Sequence, residues 1–164
     1  MVNDIPTFYS KFKTVLGEIS VQVNESNELI GLSLSTHTLL TKRSKVSSPR
    51  LDPAKTRFVK TQVDAYLNKE LKKFTLKLSP IGTSFQSQVW KALTRLDYGK
   101  TATYKSIANE VKSAPRPVGG AIGRNPIAII IPCHRVIGAS GELTGFAFGE
   151  KAKRFLLQLE GIQF

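Results

Sequence analysis

A break at Ser79-Pro80-Ile81-Gly82 separates two stretches with different hydrophobic periods, and that change limits the possible folds more than any other feature of the chain. Upstream, the pattern is strands and then one helix. Gly17-Glu18-Ile19-Ser20-Val21-Gln22-Val23 alternates apolar and polar residues, the period of a half-buried strand. Leu32 and Leu34 continue it after a turn over residues 24–28, which predicts a hairpin. Residues 44–53 are basic and read as a loop. A helix follows, with Val59, Gln62, Val63, Tyr66 and Leu67 on one face. Downstream, Thr83 with Gln86 three residues on is a capping-box signal. Phe85, Val89, Leu93 and Leu96 then share a helical face, Trp90 lies beside them, and Gly99 closes the element. A second helix carries Tyr104, Ile107, Ala108 and Val111, and Ser113-Ala114-Pro115 interrupts it. A third short helix is expected from about Arg116 to Arg124. Two short helices across a tight turn predict a helix-turn-helix whose second member is the recognition helix. The expected class is α+β, in two domains over residues 1–79 and 80–164.

Composition narrows the setting. Hydrophobic residues make up 41% of the 164, enough for a packed core and too many for disorder. The longest apolar runs fall far short of a membrane span. The start, Met1-Val2-Asn3-Asp4-Ile5-Pro6, lacks a basic region leading into an apolar one, so no secretory signal is expected. The single cysteine excludes an internal disulfide, and a reducing intracellular compartment, the cytoplasm, fits best. No cofactor is expected, and no metal either, because the one cysteine has neighbours that point to chemistry and His37 stands alone in a Ser/Thr-rich stretch.

That cysteine sits in Ile131-Pro132-Cys133-His134-Arg135-Val136, after an Asn125-Pro126 turn. A lone cysteine in a plain apolar run is usually a small buried hydrophobe. Here one of the two histidines and an arginine adjoin it, and imidazole and positive charge favour the reactive thiolate. Successive side chains on an extended segment point opposite ways, so His134 is not expected to touch the thiol directly. A cysteine hydrolase would need another base, and only His37 is available.

The chain carries 24 Lys plus Arg against 12 Asp plus Glu, a net charge of +12. Such an excess favours a polyanionic partner, nucleic acid first and an anionic membrane second. Residues 1–79 hold 13 basic and 7 acidic side chains and residues 80–164 hold 11 and 5, so charge alone does not assign the partner to either half. The third helix, Val118-Gly119-Gly120-Ala121-Ile122-Gly123, is nearly all small or aliphatic. A glycine inside a helix costs about 1 kcal/mol against alanine. Close approach of the backbone to something large, or tight packing within the domain, would each justify that cost. A helix reading the major groove usually aims Asn, Gln, Arg or Lys at base edges. This one has basic ends, Arg116 and Arg124, around a smooth middle, which suits the minor groove with little sequence preference. A DNA-binding module without chemistry would also explain the charge and the helices, but not Cys133.

Taken together, Pro132-Cys133-His134-Arg135-Val136, Arg116-Pro117-Val118-Gly119-Gly120-Ala121 and Asn125-Pro126 resemble the O6-alkylguanine-DNA alkyltransferases. Gly82-Thr83-Ser84-Phe85-Gln86, Val89-Trp90, Gly145-Phe146-Ala147-Phe148-Gly149 and Glu160-Gly161 extend the resemblance over essentially the whole chain. It implies an N-terminal domain with a ribonuclease-H-like sheet and a helical C-terminal domain with the helix-turn-helix. It implies one-shot transfer of an alkyl group from O6-alkylguanine, or O4-alkylthymine, in double-stranded DNA to Cys133, by a monomer without an obligate protein partner. His134 would be the base, through a water, and Glu160 would orient it. Asn125 would be a hinge between recognition helix and cysteine. Tyr104 would turn the target phosphate and hydrogen-bond the extruded base. Arg116 would fill the vacated stack, and Gly119, Gly120, Ala121 and Arg124 would lie along the DNA. Val136, Phe146, Ala147 and Phe148 would line the pocket, with the backbones of Cys133, Val136 and Ala147 pairing with guanine edges. Arg135 is given no catalytic role.

Overall fold

The computed structural model describes residues 5–34 and 48–163. His37 and residues 44–47 of the basic stretch lie outside the described residues. The chain divides into two compact units, Met1–Ile81 and Gly82–Phe164.

In the first unit, strands β1 (Thr7–Thr14), β2 (Gly17–Asn24) and β3 (Leu29–Leu34) form an antiparallel meander. The turn over residues 24–28 is closed by the Asn24 side chain, whose Oδ1 accepts the Ser26 and Glu28 amides at 3.0 Å each. A two-residue strand β4 (Arg50–Leu51) lies parallel to β1 at the sheet edge, giving the order β3-β2-β1-β4. Asp52 then caps helix α1 (Pro53–Leu67) by accepting the Lys55 amide. The basic stretch therefore ends earlier than its composition suggests: Pro53 opens the helix at a position whose N–H would have no partner anyway.

Register sets the core. Phe12 faces Ile19 and Ser10 faces Val21, while Ile19 and Val21 face Leu34 and Leu32. These residues share one side of the sheet. Helix α1 covers that side with Val59, Val63 and Tyr66, all fully buried, each burial worth roughly 1.5–3 kcal/mol. A buried hydrogen bond of 2.6 Å between the Ser10 and Thr56 hydroxyls fixes the helix on the sheet.

In the second unit, α2 (Ser84–Thr94) starts with both halves of the capping box: Gln86 N–H donates to Thr83 Oγ1 at 3.1 Å, and Thr83 N–H to Gln86 Oε1 at 2.9 Å. The helix stops at Thr94, before Gly99, which takes positive φ in the following turn. Strand β5 (Ala102–Thr103) leads into α3 (Tyr104–Glu110). Lys112, at φ 55°, ends α3 in a Schellman motif: Ser113 N–H reaches Ala108 O at 2.8 Å and Lys112 N–H reaches Asn109 O at 3.3 Å. Helix α4 (Pro115–Gly123) follows, so Pro115 is its first residue rather than part of the interruption, and Arg124 is its C-cap. A 3-10 turn (Cys133–Arg135), strand β6 (Val136–Ile137) and helix α5 (Glu150–Leu159) complete the unit. Among the described residues, no helix is long and apolar enough to cross a membrane.

Candidate active site

Proline and asparagine place the thiol. Pro132 has φ −80° and ψ 64°, the inverse γ-turn, and Cys133 N–H closes that turn on Ile131 O at 2.7 Å. The same carbonyl accepts Asn125 Nδ2 at 2.8 Å, while Asn125 Oδ1 accepts the Ile127 amide at 2.9 Å. Asn125 thus joins the end of α4 to the cysteine segment. Within that segment the buried Ile129 takes φ 71°, a strained conformation for a β-branched residue. Cys133 itself is 6% exposed. Burial pushes its thiol pKa up, and the Asn125 amide and the Lys153 charge pull it back. Residues 133–135 form a 3-10 turn, not the extended segment expected from sequence.

Behind the thiol lies a closed polar cluster. His134, fully buried, bonds through Nε2 to Glu160 Oε1 at 2.8 Å. Arg135 donates to the same carboxylate, Nε to Oε2 at 2.9 Å and Nη2 to Oε1 at 2.8 Å, and Nη1 reaches Leu96 O at 2.5 Å. The Gly99 amide adds a fourth donor to Glu160, at 3.1 Å. Burial lowers the His134 pKa, Glu160 raises it, and Arg135 and Lys153 lower it again. The imidazole is accordingly neutral and able to take a proton. Arg135, given no role from sequence, is the main clamp on Glu160.

Helix α5 brings Glu160 here. Lys153, Leu156, Leu157 and Glu160 are all buried, the i, i+3, i+4, i+7 face of one helix. Gly161, at φ 87°, stops the helix so that Glu160 is its C-cap. Lys153 is 1% exposed, and its Nζ donates to Val136 O at 2.5 Å and Thr144 O at 3.2 Å. Sequence reasoning passed over Lys153, although a lysine in register with Leu156, Leu157 and Glu160 was a signal that could have found it.

The parallel pairing of Ala102 with Val136 and Thr103 with Ile137 carries Tyr104 to the site. The Tyr104 hydroxyl donates to Thr144 O at 3.1 Å. Burial raises its pKa, and so does its proximity to Cys133. Gly145 has φ 79°, and a Cβ there would lie 2.4 Å from the Tyr104 hydroxyl, so only glycine fits under the phenol. Phe146 and Phe148 meet edge to face, centroids 5.4 Å apart, with the exposed Ala147 between them in sequence. Val136 is fully buried. Its carbonyl holds Lys153 and its amide donates to Cys133 O, so both of its backbone groups are already engaged.

On α4, Arg116, Gly120, Gly123 and Arg124 are exposed. A Cβ on Gly120 or Gly123 would meet nothing within 4 Å, and on Gly119 only the Tyr104 ring at 3.8 Å. Packing within the domain therefore does not account for these glycines. Ala121 departs from the expectation: it is 4% exposed, so its side chain faces inward, and its carbonyl accepts the Trp90 indole N–H at 2.9 Å.

A helix-turn-helix with a smooth outer helix, in one unit with a buried thiol, imidazole and clamped carboxylate, defines a class of helix-turn-helix protein with a cysteine centre. Residues 84–162 match the model of the 6-O-methylguanine DNA methyltransferase DNA binding domain, and residues 7–80 match that of the ribonuclease-like domain of the same proteins. The chain belongs to the 6-O-methylguanine DNA methyltransferase family. It is 57% identical over 102 residues to the methylated-DNA--protein-cysteine methyltransferase of Methanosarcina acetivorans, covering 61% of this chain and 65% of that protein. The Methanosarcina barkeri relative is 57% identical over 101 residues, covering 60% of this chain and 64% of that protein. The chain thus spans just under two thirds of the length of these two relatives. Crystal structures are matched over more of their length. The Mycobacterium tuberculosis O6-methylguanine methyltransferase is 40% identical with TM-score 0.83, over 94% of this chain and 92% of that one. The M. tuberculosis OGT in complex with DNA is 40% identical with TM-score 0.85, over 93% and 92%.

Proposed function

We propose that this chain repairs DNA by direct reversal, moving the alkyl group of O6-alkylguanine in duplex DNA irreversibly onto Cys133. The observation that carries the reading is the buried row from Cys133 through His134 and Glu160 to Arg135, in the same unit as a helix-turn-helix whose outer face is bare backbone between Arg116 and Arg124. Guanine O6 is hidden in the base stack, so the nucleotide must leave it, at a cost of a few kcal/mol. The smooth face of α4 lets backbone approach the minor groove, and Arg116 at its start fills the vacated space.

Neutral His134 takes the Cys133 proton through a water, and Glu160, held by Arg135, stabilises the imidazolium that forms. The sulfur attacks the alkyl carbon, forming the S–C bond as the C–O6 bond breaks. The bonding pair leaves on guanine, whose developing charge the Tyr104 phenol stabilises by donating a hydrogen bond, and guanine then takes up the proton that His134 had accepted. Tyr104 first exchanges its bond to Thr144 O for one to the base. The product is a thioether. Thiol exchange needs a disulfide and cannot reverse it, so each molecule acts once. The protein works as a monomer, without cofactor, in a reducing intracellular compartment that keeps the single thiol free.

The test is intact mass after incubation with O6-benzylguanine. One benzyl group per molecule is expected, and none for Cys133→Ala. With duplex substrate, lesions repaired should plateau at one per protein. Repeated turnover, or transfer by Cys133→Ala, refutes the reading.

A further inference from the structure

One buried charge is not used by the mechanism above. Lys153 is 1% exposed, and the acceptors of its two hydrogen bonds are the neutral carbonyls of Val136 and Thr144. None of the ion pairs Lys60–Asp64, Arg95–Glu110, His134–Glu160, Arg135–Glu160 and Arg154–Glu150 includes Lys153. A buried ammonium without an anion costs several kcal/mol, which bonds to two carbonyls only partly offset.

The groups around it show what balances that charge. Arg135 and Glu160 cancel each other. His134 is neutral, and the Tyr104 phenol shares the Thr144 carbonyl with Lys153. Tyr98, under the Arg135 guanidinium, and Tyr104 both have their phenol pKa raised by burial and so carry no charge, which leaves Cys133 as the group whose ionisation can balance Lys153. With a thiol at Cys133 the cluster carries one net positive charge, and with a thiolate it is neutral.

We propose that Lys153 is a positioning residue for the nucleophile, the counter-cation of the Cys133 thiolate, and that the two carbonyls hold its ammonium in place for that task. The inference rests on Cys133 being the nucleophile of the proposed reaction. Two linked effects support it: the Lys153 charge pulls the thiol pKa down, and the thiolate in turn pulls up the Lys153 pKa that burial lowers. A strut that merely tied Val136 to Thr144 would need no charge, since an amide could donate to both.

The experiment is a pH titration of thiolate absorbance near 240 nm, unambiguous because the chain has one cysteine, with Cys133→Ser in each background as reference. Lys153→Gln keeps donors for the two carbonyls and removes the charge. It should move the thiolate midpoint up by one pH unit or more, leaving about tenfold less thiolate at any pH below the midpoint. Lys153→Arg, which keeps the charge, should restore most of the loss. An unchanged midpoint in folded Lys153→Gln overturns the proposal. If that variant does not fold, reciprocity gives the same answer without it: in the Cys133→Ser protein the Lys153 ammonium, followed by NMR of its methylated form, should lose its proton at lower pH than in the parent. An equal midpoint there overturns the proposal equally. No guanine substrate enters these measurements. A shifted midpoint with no alkyl transfer would therefore refute the functional reading and leave the counter-cation standing.

Discussion

Replacing Arg135 by methionine should damage both stability and chemistry, by different routes. The residue is 7% exposed, and its side chain donates to Glu160 at 2.8 and 2.9 Å and to Leu96 O at 2.5 Å. Removing one partner of a buried ion pair costs about 3–5 kcal/mol, because the remaining charge is left uncompensated. Glu160 keeps the Gly99 amide and His134, so the lower end, about 3 kcal/mol, is the expectation. At about 2–4 °C per kcal/mol for a chain of this length, the melting temperature should fall by roughly 6–12 °C. The chemical effect follows from sign. Arg135 lowers the His134 pKa, so its loss lets Glu160 hold the imidazole protonated to higher pH. A protonated His134 cannot accept the Cys133 proton, and the acid limb of the rate profile should move upward. Melting is followed by circular dichroism and alkyl transfer by mass against pH. Adding Glu160→Gln removes the stranded carboxylate and should recover part of the stability. A melting shift under about 2 °C, with an unmoved acid limb, would refute the argument.

Two further outcomes test the site at its edges. Arg116→Ala should slow repair in duplex DNA while leaving transfer from free O6-benzylguanine near normal; equal losses on both substrates would make Arg116 structural. His134, neutral when folded because burial lowers its pKa, should make the protein acid-sensitive. Below about pH 6.5 the unfolded chain takes up a proton that the folded one refuses, so stability should fall with pH until the folded pKa is reached. Melting temperatures from pH 8 to pH 5 in wild type and His134→Gln check this: the variant should lose that component of the slope.

Local signals with a mechanism were the readable ones. Thr83 and Gln86 form their capping box, and the Asn24 turn closes the hairpin, because each depends on a few neighbouring groups. Strand β1 was not read. Its inward face, Phe8, Ser10 and Phe12, carries a hydroxyl in the middle, tolerated only because Thr56, 46 residues away, bonds to it. The same limit applies in the site. Cys133 and His134 announce themselves side by side, but Arg135 acquires its role from a carboxylate 25 residues distant. The register of Lys153 with Leu156, Leu157 and Glu160 puts it on the buried face of α5, but its partners Val136 and Thr144 follow from how that helix docks. The burial of Ala121 likewise follows from how α4 packs on α2, where the Trp90 indole reaches the Ala121 carbonyl 31 residues away.

Helix α5 decides when the cysteine can react by the proposed route. It delivers Glu160, 26 residues beyond His134, and Lys153, 17 beyond Val136, and it is the last helix among the described residues. Until it docks, Cys133 has neither an oriented base nor a neighbouring cation, and it behaves as an ordinary thiol. On the proposed reaction, alkyl transfer therefore waits for α5 to dock, because the carboxylate that orients the base and the cation beside the sulfur both arrive with that helix.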